Sequence, residues 1–294
     1  MIDKISLTIG IITKDRPDFL EKCLENKFKQ LTTNVSILIS DDSFDEENIR
    51  KNKILCKQYK ANYIKGPRRG LYANRNNIMN NIKTSHLLTC DDDHLYPKNF
   101  IKLIYKEIEK YQDEILVVGE VKNNKPFLIN KSMPKFINEL GRISENNNPN
   151  SIKGISCGST IYPLNFLNMQ IRCDESYLFG RIWYLFALQI QKFTSFNIRF
   201  ITSTSIKHNI ISSQDRKNNI AFFKHQQECN LYVSFIHTFY FSKNKFCLIN
   251  LIWKITILLF IGRKIHGQKG RFRIGIKGLL IVIKNTFKNK KIYN

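Results

Sequence analysis

The 294-residue chain lacks three patterns that would each point to a class of protein. Its seven cysteines stand singly with no Cys-x-x-Cys pair, and no small-residue cleavage site follows the first apolar run. These absences exclude a disulfide-built fold and a cysteine zinc site, and they predict free thiols in a reducing, cytoplasmic location. No Gly-x-Gly-x-x-Gly follows a predicted strand, which excludes a dinucleotide-dependent oxidoreductase.

Acidic residues are missing from the last part of the chain. No Asp or Glu follows Glu228, whereas this stretch holds 13 of the 47 lysines and arginines, and the formal net charge of the chain is +23. This charge predicts a polyanionic neighbour: nucleic acid, an anionic membrane surface or a phosphorylated substrate. The apolar stretch 246–261 is shorter than the roughly 20 residues of a spanning helix. Apolar and basic segments alternate after it, which predicts a membrane-interfacial tail or, alternatively, a packed helical tail with a solvated basic face.

Predicted strands and helices alternate over residues 1–121. The strands are 5–12, 35–39, 62–65, 85–90 and 114–121, and the helices are 17–28, 46–59, 71–81 and 97–111. Asp15 is the expected cap of the first helix. This repetition predicts an α/β fold with a Rossmann-like, mostly parallel sheet flanked by helices.

The rest of the chain gives a weaker pattern. Residues 122–154 are polar and rich in asparagine and proline, which predicts a long surface loop or linker. A helix is expected near 177–192, a strand near 197–201 and a polar segment over 212–230.

Two acidic clusters follow predicted strands. Asp41 and Asp42 end the second strand, and Asp91, Asp92 and Asp93 end the fourth. Ligands of parallel sheets bind at these carboxyl ends. Adjacent carboxylates repel one another unless a cation or an arginine lies between them, and such oxygen ligands suit Mg²⁺ or Mn²⁺. A solvated acidic turn before a helix is the alternative.

Four segments of the first half carry recognisable motifs in a fixed order. They are Thr8–Pro17, Ile39–Ser43, Gly70–Asn76 and Leu88–Pro97. Together they resemble the family 2 glycosyltransferases of the GT-A fold, whose pattern is a strand ending in Thr-x-Asn-Arg-Pro, an Asp-Asp-Ser turn, an Ala-Arg-Asn helix and a DxD motif. Asp15 stands where that family often has asparagine.

This resemblance implies the transfer of a sugar, with inversion, from a nucleotide diphosphate sugar to a glycan or lipid-linked acceptor, in surface polysaccharide synthesis. The residues implied in nucleotide-sugar binding are Thr13, Asp15, Asp41, Asp42, Arg75 and Asp91. The residues implied in holding Mn²⁺ or Mg²⁺ are Asp91 and Asp93 as the DxD pair, Asp92 because the register within the three aspartates is open, and His208.

The general base of the family has no direct counterpart in this chain. Arg181 and Ile182 follow Gly180 where the family carries Glu-Asp, and an arginine stays protonated. Asp174 and Glu175 are the nearest carboxylates and therefore the catalytic candidates. A degenerate transferase-like protein that only binds a nucleotide sugar would also explain the replacement.

The same pattern divides the chain into three functional parts. We expect a nucleotide-sugar-binding half over residues 1–121, an acceptor-binding half over 122–228 and a basic hydrophobic tail over 229–294. The tail would hold the protein peripherally on the inner face of the cell membrane. A nucleic-acid-binding protein is the other alternative, but no binding motif is present and the charge is concentrated in an apolar tail, so no nucleic acid partner is expected.

Overall fold

The computed structural model describes residues 5–122, 130–133, 136–144, 152–156, 158–208, 220–264 and 271–293. The chain forms two compact units, each assembled from separate stretches of sequence. The first unit comprises Met1–Pro134, Ile155–Glu175 and Phe193–Ile210, and the second comprises Lys135–Gly154, Ser176–Lys192 and Ile211–Asn294.

The first unit contains a sheet of nine described strands: β1 Leu7–Thr13, β2 Val35–Asp41, β3 Asn62–Lys65, β4 His86–Asp91, β5 His94–Leu95, β6 Ile115–Lys122, β7 Asn130–Met133, β11 Thr160–Pro163 and β12 Ile198–His208. Six of these strands point the same way, so the predicted mostly parallel α/β sheet is confirmed. The strands lie in the order β3-β2-β1-β4-β11-β6-β12-β5, and β7 pairs with β6.

Helices cover both faces of this sheet. They are α1 Pro17–Phe28, α2 Glu46–Gln58, α3 Leu71–Met79, α4 Phe100–Lys110 and the short α5 Leu164–Asn168. Every residue of β1 is buried, as expected of a central strand with helices on either side. The side chains of Ile9 and Ile11 join the core cluster with residues of α1, α2 and α4. Gly10 points to the other face, where Ile78 of α3 packs against it.

The register of the central strands gathers their carboxyl ends at one edge. Thr13, the last residue of β1, pairs with Asp41 at the end of β2. On the other side of β1, Ile12 pairs with Asp91 at the end of β4. Both acidic clusters therefore lie at the same edge of the sheet, as the strand pattern predicts.

Several sequence-based expectations about local structure are wrong. Asp15 does not cap α1, which begins after Arg16 without a side-chain cap. The helix expected from residue 97 begins at Phe100, and the helix expected from residue 177 begins at Ile182. In each case the proline or aromatic pattern marks the approach to the helix and not its first turn.

The segment 122–154, expected to be a loop or linker, contains short strands. β7 extends the main sheet, while β8 Phe136–Ile137, β9 Ile143–Ser144 and β10 Ile152–Lys153 form a small antiparallel sheet in the second unit. Polar composition hides them because strands of two to four residues leave no alternating pattern. The remaining parts of the segment lie outside the described residues.

The second unit is mainly helical. Its helices are α6 Ile182–Phe193, α7 Ile220–Ile236, α8 Phe246–Thr256, α9 Gly275–Lys288 and α10 Lys290–Tyr293. The last residue of α6, Phe193, belongs to the first unit. The strands β13 Arg263–Lys264 and β14 Arg271–Phe272 form a hairpin. From residue 220 onward, the polar segment 212–230 is therefore helix. Among the described residues, none of the helices has the length and hydropathy to span a bilayer.

Gly10 offers a test of the packing between β1 and α3. A Cβ atom at Gly10 would lie 2.4 Å from Cγ2 of Ile78 and 2.8 Å from Cδ1 of Leu87. We expect Gly10→Ala to lower the free energy of unfolding by about 1–3 kcal/mol, measured by urea denaturation. Because Ile78→Ala removes the clashing atom, the double variant should be less destabilised than the sum of the two single variants. A strictly additive double variant would contradict this account.

Candidate active site

Asp41 and Asp42 are neighbours in sequence but do different things. Asp41 is buried, and its carboxylate accepts hydrogen bonds from the backbone N–H of Ser43 (3.0 Å), Nδ2 of Asn52 (2.9 Å) and the hydroxyl of Tyr63 (3.1 Å). These donors belong to the protein itself, which makes Asp41 a residue that ties β2, α2 and β3 together. Asp41, one of the six predicted nucleotide-sugar contacts, therefore has internal partners for its carboxylate.

Asp42 holds the loop that precedes α3. Its carboxylate accepts hydrogen bonds from the backbone N–H groups of Arg68 (2.6 Å) and Gly70 (3.2 Å). A Cβ atom at Gly66 would lie 2.6 Å from Oδ1 of Asp42, so only glycine lets the loop approach this closely. Burial raises the pKa of Asp42, while the two backbone donors act in the opposite direction. Asp42 thus fixes the position of this loop at the carboxyl edge of the sheet.

Thr13 and Asp15 link the loop after β1 to its neighbours. The hydroxyl of Thr13 donates to Oδ2 of Asp92 at 2.8 Å, inside the protein. The carboxylate of Asp15 accepts from the backbone N–H groups of Phe44 (3.0 Å) and Asp45 (3.3 Å), in the loop after β2. Both side chains, predicted to contact the nucleotide sugar, therefore fasten strand-end loops to one another.

Asp92 points into the protein. It accepts from Thr13, as above, and forms an ion pair with Arg16, a residue that sequence reasoning did not single out. Burial raises the pKa of Asp92 to about 7, although the charge of Arg16 acts in the opposite direction. Among the three consecutive aspartates, Asp92 is the one whose side chain is fully buried, whereas those of Asp91 and Asp93 are 24% and 14% exposed.

Asp91 pairs with the predicted arginine. Nη2 of Arg75 donates to Oδ1 of Asp91 at 2.7 Å, and the Arg75 side chain is buried beneath it. Arg75 therefore balances one of the three acids, as the sequence allowed. The other oxygen of Asp91, Oδ2, lies 4.0 Å from Nε2 of His94.

Asp93 and His208, both implied metal ligands, lie next to each other although they are far apart in sequence. Nε2 of His208 lies 3.4 Å from Oδ1 of Asp93, and Nδ1 of His208 lies 3.2 Å from Oε2 of Glu120. Burial alone would lower the pKa of His208, but the contacts with Asp93 and Glu120 raise it to about 10. β12 delivers His208 to this place because it runs to residue 208, seven residues beyond the predicted strand end.

Glu120 orients His208, and sequence reasoning missed it. It lies near the end of β6 and is buried, with the hydroxyls of Ser156 and Ser159 (3.0 Å) donating to its other oxygen. Burial alone would raise the pKa of Glu120, but the hydrogen bond with His208 keeps that pKa well below its usual range. The available signal was a single acid inside the apolar run 115–121, since an unpaired charge in a buried strand is costly.

His94 is the second residue of this group that sequence reasoning missed. Its Nδ1 lies 2.9 Å from the carbonyl oxygen of Gly158, and its own carbonyl accepts from Nζ of the buried Lys27 at 2.7 Å. A Cβ atom at Gly158 would lie 2.4 Å from Cε1 of His94, so this glycine makes room for the imidazole. The signal in the sequence was its position directly after the three aspartates.

Asp93, His94 and His208 each offer one ligand atom, and these atoms all lie within 4.8 Å of one another. In both histidines Nδ1 faces an acceptor, the Gly158 carbonyl or the Glu120 carboxylate. Metal-bound histidines in proteins are held in this way. Nε2 of His208 faces Asp93, so a cation held there would take the place of the proton on Nε2. The residues therefore fit a divalent cation.

The catalytic candidates Asp174 and Glu175 differ in exposure. Asp174 is buried, whereas the side chain of Glu175 is 30% exposed. Glu175 accepts from Nδ2 of Asn76 and pairs with Nη2 of Arg69, each at 2.9 Å. Asn76 follows Arg75 on α3, so one helix holds both Asp91 and Glu175.

A mostly parallel sheet with helices on both faces, and with acids and histidines gathered at its carboxyl edge, defines a protein of the GT-A type. The family model for glycosyl transferase family 2 matches residues 8–162, which is more than half of the chain. The chain belongs to this family. The match includes every predicted nucleotide-sugar contact and ends before Asp174, Glu175 and His208.

Three known proteins are similar to this chain in sequence or in fold. Glycosyltransferase GlyA of Streptococcus pneumoniae serotype 4 is 26% identical over 120 residues, which are 39% of this chain and 16% of that relative's length. TarS 1–349 of S. aureus in complex with UDP-GlcNAc has a TM-score of 0.58 at 13% identity, over 99% of this chain and 82% of that one. GalNAc-T7 with UDP, GalNAc and Mn²⁺ has a TM-score of 0.62 at 12% identity, over 80% and 48%. The structural matches confirm the fold.

Glu120 gives a test of the cation site that does not require catalysis. Glu120→Gln replaces an oxygen that faces Nδ1 of His208, and an amide N–H at that place cannot accept from it. We expect the dissociation constant for Mn²⁺, measured by isothermal titration calorimetry, to rise about 10- to 100-fold.

Asp41→Asn is the matched control, because Asp41 is also a buried carboxylate at this edge but holds only β2, α2 and β3. This variant should be less stable and should keep the wild-type affinity for Mn²⁺. Equal Mn²⁺ affinities of Glu120→Gln and the wild type would refute the orienting role of Glu120.

Proposed function

We propose that this protein transfers a sugar from a nucleoside diphosphate sugar to a glycan or lipid-linked acceptor, assisted by Mn²⁺ or Mg²⁺, in the synthesis of a surface polysaccharide. The observation that carries the proposal is the cluster of Asp93, His94 and His208 at the carboxyl edge of the sheet. Such a cluster suits a cation that meets a diphosphate, since divalent ions at these sites share their coordination with substrate phosphates. We assign Asp93, His94 and His208 as the protein ligands.

Asp42 and the loop from Gly66 to Gly70 form the proposed nucleotide side of the site. Asp42 fixes this loop through two backbone N–H groups, and the loop carries the guanidinium groups of Arg68 and Arg69. Positive charge near a diphosphate stabilises it both bound and leaving. Because TarS has been seen with UDP-GlcNAc and GalNAc-T7 with UDP, uridine diphosphate sugars are the first donors to test.

A bound divalent cation would supply the positive charge that offsets the negative charge developing on the departing diphosphate. The chain itself orients the site for this purpose. Glu120 and the Gly158 carbonyl fix the two imidazole rings, and Arg75 holds Asp91 beside them. Preorganised groups of this kind need no rearrangement at the moment of transfer.

A thermal-stability panel tests the donor and the cation together. With Mn²⁺ present, a donor at 100 times its dissociation constant should add about 2.7 kcal/mol of stability. We expect this gain with one class of nucleotide sugar only, and we expect Asp93→Asn to remove it because the variant loses an anionic ligand. Asp18→Asn, an exposed aspartate on α1, is the matched control and should keep the full gain. A donor effect that survives in Asp93→Asn would disprove the assignment.

Glu175 is the proposed general base. It is the more exposed of the two candidates, and Asn76 fixes its position by donating both to Glu175 and to the carbonyl oxygen of Cys173 (2.8 Å). A carboxylate on this segment can accept the proton of an attacking hydroxyl. Asp174, buried in the same segment, serves the fold in this proposal.

Glu175→Gln should lower kcat for release of the nucleotide from its donor sugar by about 10²- to 10⁴-fold. The amide keeps the shape of the side chain, so the donor affinity should stay unchanged. Glu109→Gln, an exposed glutamate on α4, is the control and should behave as the wild type. Normal turnover by Glu175→Gln with loss in Asp174→Asn would transfer the role to Asp174.

A degenerate protein that binds a nucleotide sugar without turnover is the second candidate. The observation that favours it is the replacement of Glu-Asp by Arg181 and Ile182. Donor binding that matches the expectation above, with no nucleotide release by the wild type in the presence of Mn²⁺, would favour this candidate over the transferase.

A further inference from the structure

The C-terminal helices of the second unit expose an unusual amount of apolar surface. In α8 and the turn of π-helix that continues it over Ile257–Ile261, the buried side chains are Cys247, Leu251 and Leu258. The opposite face exposes Phe246, Ile249, Trp253 and Phe260, each with 60–68% of its surface accessible. A helix on the surface of a water-soluble protein normally turns a polar face outward, whereas α8 turns apolar side chains outward.

The next long helix, α9, repeats this arrangement and adds charge. It is buried along Gly278, Val282 and Thr286, and Gly278 lets it approach Glu228 of α7. On its outer side Ile276, Leu280 and Phe287 follow one another at helical spacing, with 60–73% of each side chain accessible. Lys277, Lys284 and Lys288 form a second exposed stripe directly beside them.

The two helices adjoin each other. The backbone N–H of Ile274, just before α9, donates to the carbonyl oxygen of Leu258 at 3.3 Å, so α9 begins beside the end of α8. We call the outward apolar side chains of α8 and α9, together with the three lysines of α9, the basic apolar surface. Contiguous exposed apolar areas above several hundred Å² are rare on soluble monomers and mark binding surfaces.

The charge decides which partner fits this surface. No acidic residue follows Glu228 in the sequence, so a second copy docked on it would set lysine against lysine without a single carboxylate from α8 or α9. A nucleic acid would match the lysines but would leave most of the aliphatic side chains in contact with phosphates and water. An anionic lipid bilayer matches both halves: the apolar side chains enter the headgroup and acyl boundary, and the lysines reach the headgroups.

We propose that the basic apolar surface binds an anionic lipid bilayer, with α8 and α9 lying in the interface between headgroups and acyl chains. The leaflet that carries such charge in a cell is the cytoplasmic one, so the inner face of the cell membrane is the expected location. This binding does not depend on the proposed sugar transfer, and the two can fail separately. It would keep the enzyme in the plane where lipid-linked acceptors lie.

Vesicle co-sedimentation tests the proposal without any donor or acceptor. The wild type should bind vesicles that contain phosphatidylglycerol much more tightly than vesicles of phosphatidylcholine alone, and salt should weaken this binding. Replacing Lys277, Lys284 and Lys288 by glutamine should reduce the partition coefficient about 100-fold, since each basic residue near the surface contributes about a factor of five. Replacing Ile276, Leu280 and Phe287 by glutamine, which preserves helix propensity, should reduce it at least as much.

The matched control removes three lysines elsewhere. Lys98, Lys102 and Lys106 are also exposed and follow one another along and just before α4 in the first unit. Their triple replacement by glutamine should leave vesicle binding within about twofold of the wild type, because the lost charges do not face the lipid. Circular dichroism should be the same for all three triple variants.

Trp253 reports the position of α8. The chain has two tryptophans, so Trp183→Phe leaves Trp253 as the one emitter. Its emission should shift to shorter wavelength on adding anionic vesicles and should be quenched by lipids brominated near the headgroup. An unshifted emission, or vesicle binding that both surface variants retain, would overturn the proposal. The surface would be assigned to a second copy instead if the wild type bound no vesicles and formed a dimer in sedimentation equilibrium, while the apolar variant stayed monomeric.

Discussion

Repulsion between three consecutive carboxylates is the constraint on which the candidate site depends. Asp91, Asp92 and Asp93 stand at one strand end, and each has its own cationic partner. Arg75 comes from α3, Arg16 from the loop after β1 and His208 from the far end of β12. The three pairs draw separate parts of the first unit to the same edge, because each acid needs a counter-charge to stay ionised inside a protein.

These pairs also divide the work among the aspartates. The carboxylate of Asp92 is buried and contacts Arg16 and Thr13 inside the protein, whereas the side chains of Asp91 and Asp93 stay partly accessible. Glu120 then orients His208 from behind, and His94 adds a second imidazole at the same place. The chemistry that we propose rests on this arrangement. The proposed cation ligands are kept in place by hydrogen bonds to neighbouring residues.

The second unit follows a different physical logic. Its helices bury one face against one another, as at the Gly278 contact with Glu228, but α8 and α9 turn apolar side chains outward as well. Such a surface is unfavourable in water, because exposed apolar area raises the free energy of the protein unless a partner covers it. The absence of acids after Glu228 and the lysine stripe of α9 favour an anionic cover over a protein copy.

The sequence by itself determined the α/β class, the central strands and the placement of both acidic clusters at one edge, because a buried parallel strand is a local apolar run and its end is a local change to polar residues. Only the tertiary structure decided which aspartate faces inward, that Asp41 and Thr13 are tied up internally, and that Glu120 and His94 join Asp93 and His208. Those partners lie up to 115 residues apart along the chain, between Asp93 and His208. Spacing in sequence carries no information about such pairs, since the folded backbone alone brings them within a hydrogen bond of one another.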